Sequence, residues 1–193
     1  MTTLFLTRHG ETVWNAERRL QGWQDSPLSE KGVRQAEALA ERLTGIDFEA
    51  IYTSPTGRAH RTAEIVRGER PLTIIPCDDL REINLGTWEG RKWDVVMEEE
   101  PERLLTFWKK PHLYEPDGGE SFVEVRDRVL PTLRDIVDAH QGNVLVVTHA
   151  VVLKLVLAEY EGRPLADIWE EPRIEPTSLS VVNLENGEAT LER

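Results

Sequence analysis

Two histidines, two arginines and one glutamate are the residues of this 193-residue chain whose types and settings could do chemistry together. In Arg8-His9-Gly10-Glu11, Arg8 offers a planar fork to an oxyanion, and Gly10 lets the backbone approach a ligand or turn sharply. Alone, that triplet also fits a surface arginine beside a structural histidine. His149 lies between an apolar run and a helical pattern, where backbone N–H groups and the positive end of a helix dipole favour an anion. A lone histidine there equally fits a packed or capping residue. Arg58 falls near the start of a helix that follows a strand and can reach the same crevice, whereas Arg61, one turn on, is assigned to solvent or the sheet edge. Glu82 lies in the apolar, Gly-containing stretch Leu80 to Gly86. Partial burial and a neighbouring phosphate dianion would both raise its pKa, which suits a general acid.

These side chains need elements that bring them to one edge. Thr3 to Thr7 reads as a short buried strand that ends at Arg8-His9. From Ser29 to Leu43, apolar residues recur at helical spacing, with Ser29 as N-cap and Gly45 just past the end. Ala50 to Thr53 is a second strand; a helix bearing Ala59, Thr62, Ala63 and Val66 follows, then a strand within Leu72 to Ile75. Trp93 to Leu113, acidic and rich in tryptophan, reads as one or two short helices of a surface lid, an insertion spanning about 92–120. Ser121 opens a long amphipathic helix with Val125, Val129, Leu133, Ile136 and Val137 as its stripe, which Pro131 is expected to kink or divide. Asn143 to Thr148 is a buried strand with a helix from about Val151 behind it. Ser178 to Leu184 and Ala189 to Leu191, separated by Asn186-Gly187, read as a closing hairpin.

This alternation predicts an α/β fold: a three-layer α/β/α sandwich in a single domain, 1–193, with a mostly parallel central sheet, an antiparallel edge strand and a small helical lid. Ligands of such sheets bind at the carboxyl ends of the strands. Arg8-His9, Thr53-Ser54 and Thr148-His149 all fall there, and two of those three ends carry a histidine.

Composition narrows the partners. Apolar content of 39% with 30% charged residues is that of a globular protein, and no apolar run approaches the roughly 20 residues that span a bilayer. The first residues show no signal-peptide pattern, so a cytoplasmic location is expected. Cys77 is the only cysteine, which excludes an intramolecular disulfide and a cysteine-rich zinc site. With 23 basic and 35 acidic residues the net charge is −12, which argues against nucleic acid or an anionic membrane as partner. A small anion must then be held by arginines gathered in one pocket.

Leu6 to Asn15 resembles the signature of the histidine phosphatase superfamily, the phosphoglycerate mutase-like enzymes. The likeness continues in order through Gln21-Gly22, Ser26 to Gly32, Ser54 to Ala63, Arg81 to Gly90 and Val147-Thr148-His149, nearly the whole chain. Within the family it is most similar to a broad-specificity phosphatase of bacilli. The resemblance implies that His9 is the nucleophile, that Arg8, Arg58 and His149 bind the phosphoryl oxygens with Asn15, Gln21, Gly22 and Ala150 around them, and that Glu82 is the proton donor. It implies a metal-independent phosphatase that hydrolyses small phosphate monoesters with broad specificity, without a cofactor. Small phosphorylated metabolites would be its partners, and the chain a monomer or weak homo-oligomer. Two guanidiniums and an imidazolium can supply the charge that Mg²⁺ supplies elsewhere. His9 must be neutral to attack, and the surrounding cations lower its pKa; His149, against the phosphate, would favour its charged form. Two positions depart from the family's usual residues: Ala150 replaces glycine and Lys154 replaces arginine.

Three other assignments remain at this level. A phosphoglycerate mutase of the family would be longer and would follow the acid with a basic-aromatic segment, whereas Glu82 is followed by Ile83-Asn84-Leu85-Gly86. An inactive phosphate-binding module is a second alternative, and a histidine-based metal protein a third. Trp23, Trp108, Tyr114 and Phe122 are candidate pocket walls, while the remaining tryptophans are assigned to packing. His60, His112 and His140 are assigned to surface or packing, and Glu98-Glu99-Glu100 to a solvated face that could repel highly anionic substrates at the entrance.

Overall fold

Alternation along each apolar run decides which side of the sheet every residue serves. In the computed structural model, which describes residues 1–185 and 188–192, six strands form one sheet: β1 (Thr2–Arg8), β2 (Phe48–Thr53), β3 (Ile74–Pro76), β4 (Asn143–Thr148), β5 (Leu179–Glu185) and β6 (Glu188–Glu192). Their spatial order is β3-β2-β4-β1-β5-β6. The pairs β1–β4, β2–β4 and β2–β3 are parallel, and β5 and β6 run antiparallel at one edge. The predicted mixed sheet is therefore present. The expected Asn186-Gly187 turn lies outside the described residues.

Helices cover both faces. Phe5, Phe48, Ile51, Leu145 and Val147 face α2 (Glu30–Arg42) and α3 (Gly57–Arg67). Leu4, Leu6, Val144 and Val146 face the opposite way, onto α6 (Phe122–Ala139) and α7 (Ala150–Tyr160). Ser29 caps α2 by accepting from the Gly32 amide. Ser121 and Glu124 cap α6 reciprocally, so that two otherwise unpaired N–H groups are satisfied. The expected division of α6 does not occur. The helix runs through Pro131, whose ring lies on the exposed side while the buried Val129, Leu130 and Leu133 hold the other side to the core. Packing of that face outweighs one lost backbone hydrogen bond.

A four-residue helix, α1 (Val13–Ala16), follows β1. The segment read as a lid holds α4 (Trp93–Glu99), α5 (Pro101–Lys109) and a 3₁₀ turn at Pro111–Leu113. Its inner side is not superficial: Val96, Leu104, Phe107 and Tyr114 join the same apolar cluster as Leu4 and Leu6. Among the described residues no helix is long and apolar enough to cross a membrane.

Candidate active site

The ladder between β1 and β4 continues one residue past β1, since the His9 amide donates to the Thr148 carbonyl at 3.0 Å. His9 and His149 are thus set side by side, their rings 5.2 Å apart and inclined by 64°. The Nδ1 of His9 lies 2.7 Å from the Gly10 carbonyl oxygen. A carbonyl only accepts, so Nδ1 carries the proton and the neutral ring presents its lone pair at Nε2. Burial, then the charges of Arg58 and Arg8, hold the His9 pKa well below that of an ordinary histidine, so neutral is its resting form.

Gly10 is needed because another backbone comes very close. A methyl group on Gly10 would stand 2.5 Å from the Gly32 carbonyl oxygen, and one on Gly32 would stand 1.9 Å from that of Glu11. The first turn of α2 therefore rests directly on the main chain beside His9. Ser29 and Lys31 both bind the Glu11 carboxylate at 2.9 Å, which fastens the same contact.

Arg58 enters from the first turn of α3, 1% exposed. Its Nε donates to His9 Nε2 at 3.3 Å. Its terminal nitrogens donate to the Gly22 and Gln24 carbonyls at 2.7 and 2.8 Å and to Asp25 at 2.9 Å. Gly22 turns at φ 56, and a side chain there would strike the Glu89 carboxylate, so only glycine can present that carbonyl to Arg58. Arg8 donates to the Ile174 carbonyl at 2.9 Å, while its Nε is buried with no partner among the described residues.

His149 is fully buried as the N-cap of α7 and lies behind His9 rather than on the cavity wall. Its Nε2 is 2.8 Å from the Ser54 hydroxyl, and its Nδ1 has no partner among the described residues. Without an anion beside it, the charged form expected for His149 is disfavoured. Burial, then Arg58, pushes its pKa well below the ordinary value.

Glu82 sits between two 3₁₀ turns, Asp78–Leu80 and Gly86–Trp88. Its carboxylate accepts from its neighbour's amide, Ile83, at 3.0 Å and from Val151, in the first turn of α7, at 3.4 Å. Burial raises its pKa, and those amides and Arg58 offset the rise only in part. The carboxyl group is therefore easier to protonate than an ordinary glutamate.

A cavity of ≈ 540 Å³ collects these groups. Arg8, His9, Asn15, Gln21, Gly22, Arg58, Glu82 and Ala150 line it, so every predicted site residue except His149 reaches its wall. Thr12 occupies the side-chain oxygens of both amides: its N–H donates to Asn15 and its hydroxyl to Gln21. Their NH₂ groups are what each can offer an anion. Of the four aromatic wall candidates only Trp108 lines the cavity. Tyr114 and Phe122 are buried behind it, and Trp23 turns away to donate its indole N–H to the Glu82 carbonyl at 2.9 Å.

Sequence reasoning missed Phe107, Trp169, Glu171, Arg173 and Ile174 at the wall and mouth. No local pattern marks them; helix α5 meets the 169–174 segment only in the folded chain, where the Trp108 and Trp169 rings meet with centroids 4.4 Å apart, tilted by 42°. Lys154 lines the cavity too, and its ammonium donates to the Glu170 and Pro172 carbonyls, the latter at 2.7 Å. Glu98, Glu99 and Glu100 do not line it. Glu99 and Glu100 pair with Arg91, so they are not simply solvated.

With the geometry in place, comparison with known proteins is direct. Residues 4–193 match the family described as Histidine phosphatase superfamily (branch 1). The solved structure of Bacillus stearothermophilus YhfR is 48% identical, with a TM-score of 0.96 over 99% of this chain and 95% of that one. Phosphoserine phosphatase 1 of Hydrogenobacter thermophilus is 35% identical over 186 residues, 96% of this chain and 88% of its own length. The protein named Probable phosphoglycerate mutase GpmB, of Escherichia coli O1:K1 / APEC, is 37% identical over 195 residues, 98% of this chain and 87% of its own. The resemblance carried by Arg8-His9-Gly10 and His149 thus extends to the whole fold, and the chain belongs to the histidine phosphatase superfamily.

Proposed function

We propose that this protein is a broad-specificity phosphatase that hydrolyses small phosphate monoesters through a phosphohistidine on His9, using no metal. One observation carries the reading: His9 is locked as a neutral ring, Nδ1 tied to the Gly10 carbonyl and Nε2 toward Arg58, in a cavity it shares with a protonatable Glu82. On binding, a phosphoryl oxygen takes the Arg58 Nε–H from His9 Nε2 and frees the attacking lone pair. Arg8 Nε and His149 Nδ1, buried without partners, can serve the other oxygens. Leaving such polar groups unsatisfied costs about 1–3 kcal/mol each, which anion binding would relieve.

Nε2 attacks phosphorus as the bond to the leaving oxygen breaks, and Glu82 gives that oxygen its proton. The new positive charge on the ring is shared with the Gly10 carbonyl through Nδ1–H. Water then attacks phosphorus while the Glu82 carboxylate takes its proton, the N–P bond breaks and inorganic phosphate leaves. Two guanidiniums, fixed before substrate arrives, provide the electrostatic stabilisation that phosphoryl transfer needs.

The mutase alternative gains weight from the relative named as one. Against it, Ile83 and Leu85 make the segment after the acid an apolar part of the cavity wall, although Arg19, Lys154 and Arg173 stand elsewhere on that wall. A time course with p-nitrophenyl phosphate in EDTA at mildly acidic pH tests the proposal. Native protein should turn over, His9→Ala should lose at least about 10³-fold, and an acid-labile phosphoprotein should form only on native chain. Turnover that survives His9→Ala, or mutase activity primed by 2,3-bisphosphoglycerate that far exceeds hydrolysis, would overturn it.

A further inference from the structure

Glu82 has no regular element of its own to hold it, yet a proton donor must keep its carboxyl group within hydrogen-bond reach of the leaving oxygen. Trp23 donates to the Glu82 carbonyl from one side, and most of the remaining hold on this segment comes from α6 and the residue that precedes its cap. Arg128, on the second turn of that helix, donates through one terminal nitrogen to the carbonyls of Asp79 and Arg81 at 2.5 and 2.9 Å. Through the other it donates to the carbonyl of Glu82 itself at 2.9 Å. The Glu120 carboxylate takes the remaining guanidinium donors at 2.8 and 2.9 Å and also accepts from the Asn84 amide at 2.8 Å. All five guanidinium N–H groups are therefore engaged, and the pair grips the main chain on both sides of Glu82. Neither Arg128 nor Glu120 lines the cavity. The helix beneath is anchored by the buried Val125 and Val129.

We infer that Arg128, oriented by Glu120, is the positioning residue for the proton donor: it sets where the Glu82 carboxyl group stands relative to the leaving oxygen. This rests on the reading of Glu82 as general acid. A lysine keeps the charge but has three donors on one atom, so it cannot span three carbonyls and a carboxylate at once. An ångström of misplacement in such a group can cost about 10²-fold. The loss must fall on substrates whose leaving oxygen needs the proton.

The test compares kcat/KM for phenyl phosphate, a poor leaving group, with p-nitrophenyl phosphate, a good one, in native protein, Arg128→Lys, Glu120→Gln and Glu82→Gln. Circular dichroism and Tm check that each variant is folded; Glu120→Gln keeps the question answerable if Arg128→Lys does not fold. Expected is a loss of about tenfold for phenyl phosphate in Arg128→Lys with p-nitrophenyl phosphate within about twofold, a smaller effect of the same kind in Glu120→Gln, and the strongest discrimination in Glu82→Gln. Adding Arg128→Lys to Glu82→Gln should not widen that discrimination further. Equal losses on both substrates in Arg128→Lys, with Glu82→Gln still discriminating, would sink the inference alone. If Glu82→Gln itself fails to discriminate, the general-acid reading falls and the inference falls with it.

Discussion

At its inner end the cavity is walled by Arg8, His9 and Arg58, with His149 behind; at its mouth stand Trp108, Trp169, Glu171 and Arg173. The inner residues come from neighbouring strand ends and the first turn of α3, and His9 and Arg58 are 3% and 1% exposed. The terminal donors of Arg58 are committed to two carbonyls and Asp25, and burial, more than any neighbour, keeps His9 neutral. The mouth is assembled from α5 and the 169–174 segment, distant in sequence. There Trp108 is 38% exposed, and Arg173 pairs with another exposed side chain, Glu175. Rigid strand ends can hold a group to the tolerance that chemistry needs, while the mouth selects by contact area and tolerates change. The two ends should therefore answer mutation in different kinetic terms.

The inner end should break first and hardest. Arg58→Ala removes the cation beside His9 and leaves Asp25 and the Gly22 and Gln24 carbonyls without their donor. A drop in kcat/KM of about 10³-fold is expected, with a lower Tm, both measurable on p-nitrophenyl phosphate and by thermal melts.

Glu82→Gln should cost about 10²-fold and change the shape of the pH profile. On the proposed mechanism activity needs neutral His9, present above its depressed pKa, and protonated Glu82, present below its raised pKa. As pH rises, kcat/KM should therefore climb with His9 deprotonation and fall with Glu82 ionisation, placing the maximum in mildly acidic solution. In Glu82→Gln the fall on the alkaline side should vanish; its persistence would assign that limb to another group.

The smallest effect belongs to the mouth. Trp108→Ala should raise KM for aryl phosphates by about threefold to tenfold, the worth of one partly exposed aromatic face, while kcat and KM for a short alkyl phosphate stay within about twofold. A kcat loss as large as that of Arg58→Ala would erase the distinction between the two ends.

Legibility in the sequence divides along the same line. Arg8, His9 and Arg58 could be placed because each follows a strand, and a parallel sheet gathers its strand ends by construction. The retained charge of Lys154 was readable, but its grip on the Glu170 and Pro172 carbonyls was not, because that contact links α7 to a segment with no local signal. Trp169 was assigned to packing, and it does pack on the core, but it also meets Trp108 at the mouth; amphipathic period cannot say which aromatic faces a cavity. For Pro131 the expected division into two segments failed for the opposite reason. A local rule favoured a break where the buried side of α6 had more to gain from continuing.

The contact between Gly10 and Gly32 sets a limit on how this enzyme can be altered. Position 32 lies outside the cavity, on a helix that contributes no chemistry, and a residue-by-residue library would treat it as scaffold. Yet any side chain there would stand 1.9 Å from the Glu11 carbonyl oxygen, far inside van der Waals contact, and would displace the loop that carries His9. A deep substitution screen read by activity would thus score Gly32 alongside His9, and breeding programmes that shuffle helix α2 between relatives must carry both glycines across as one unit.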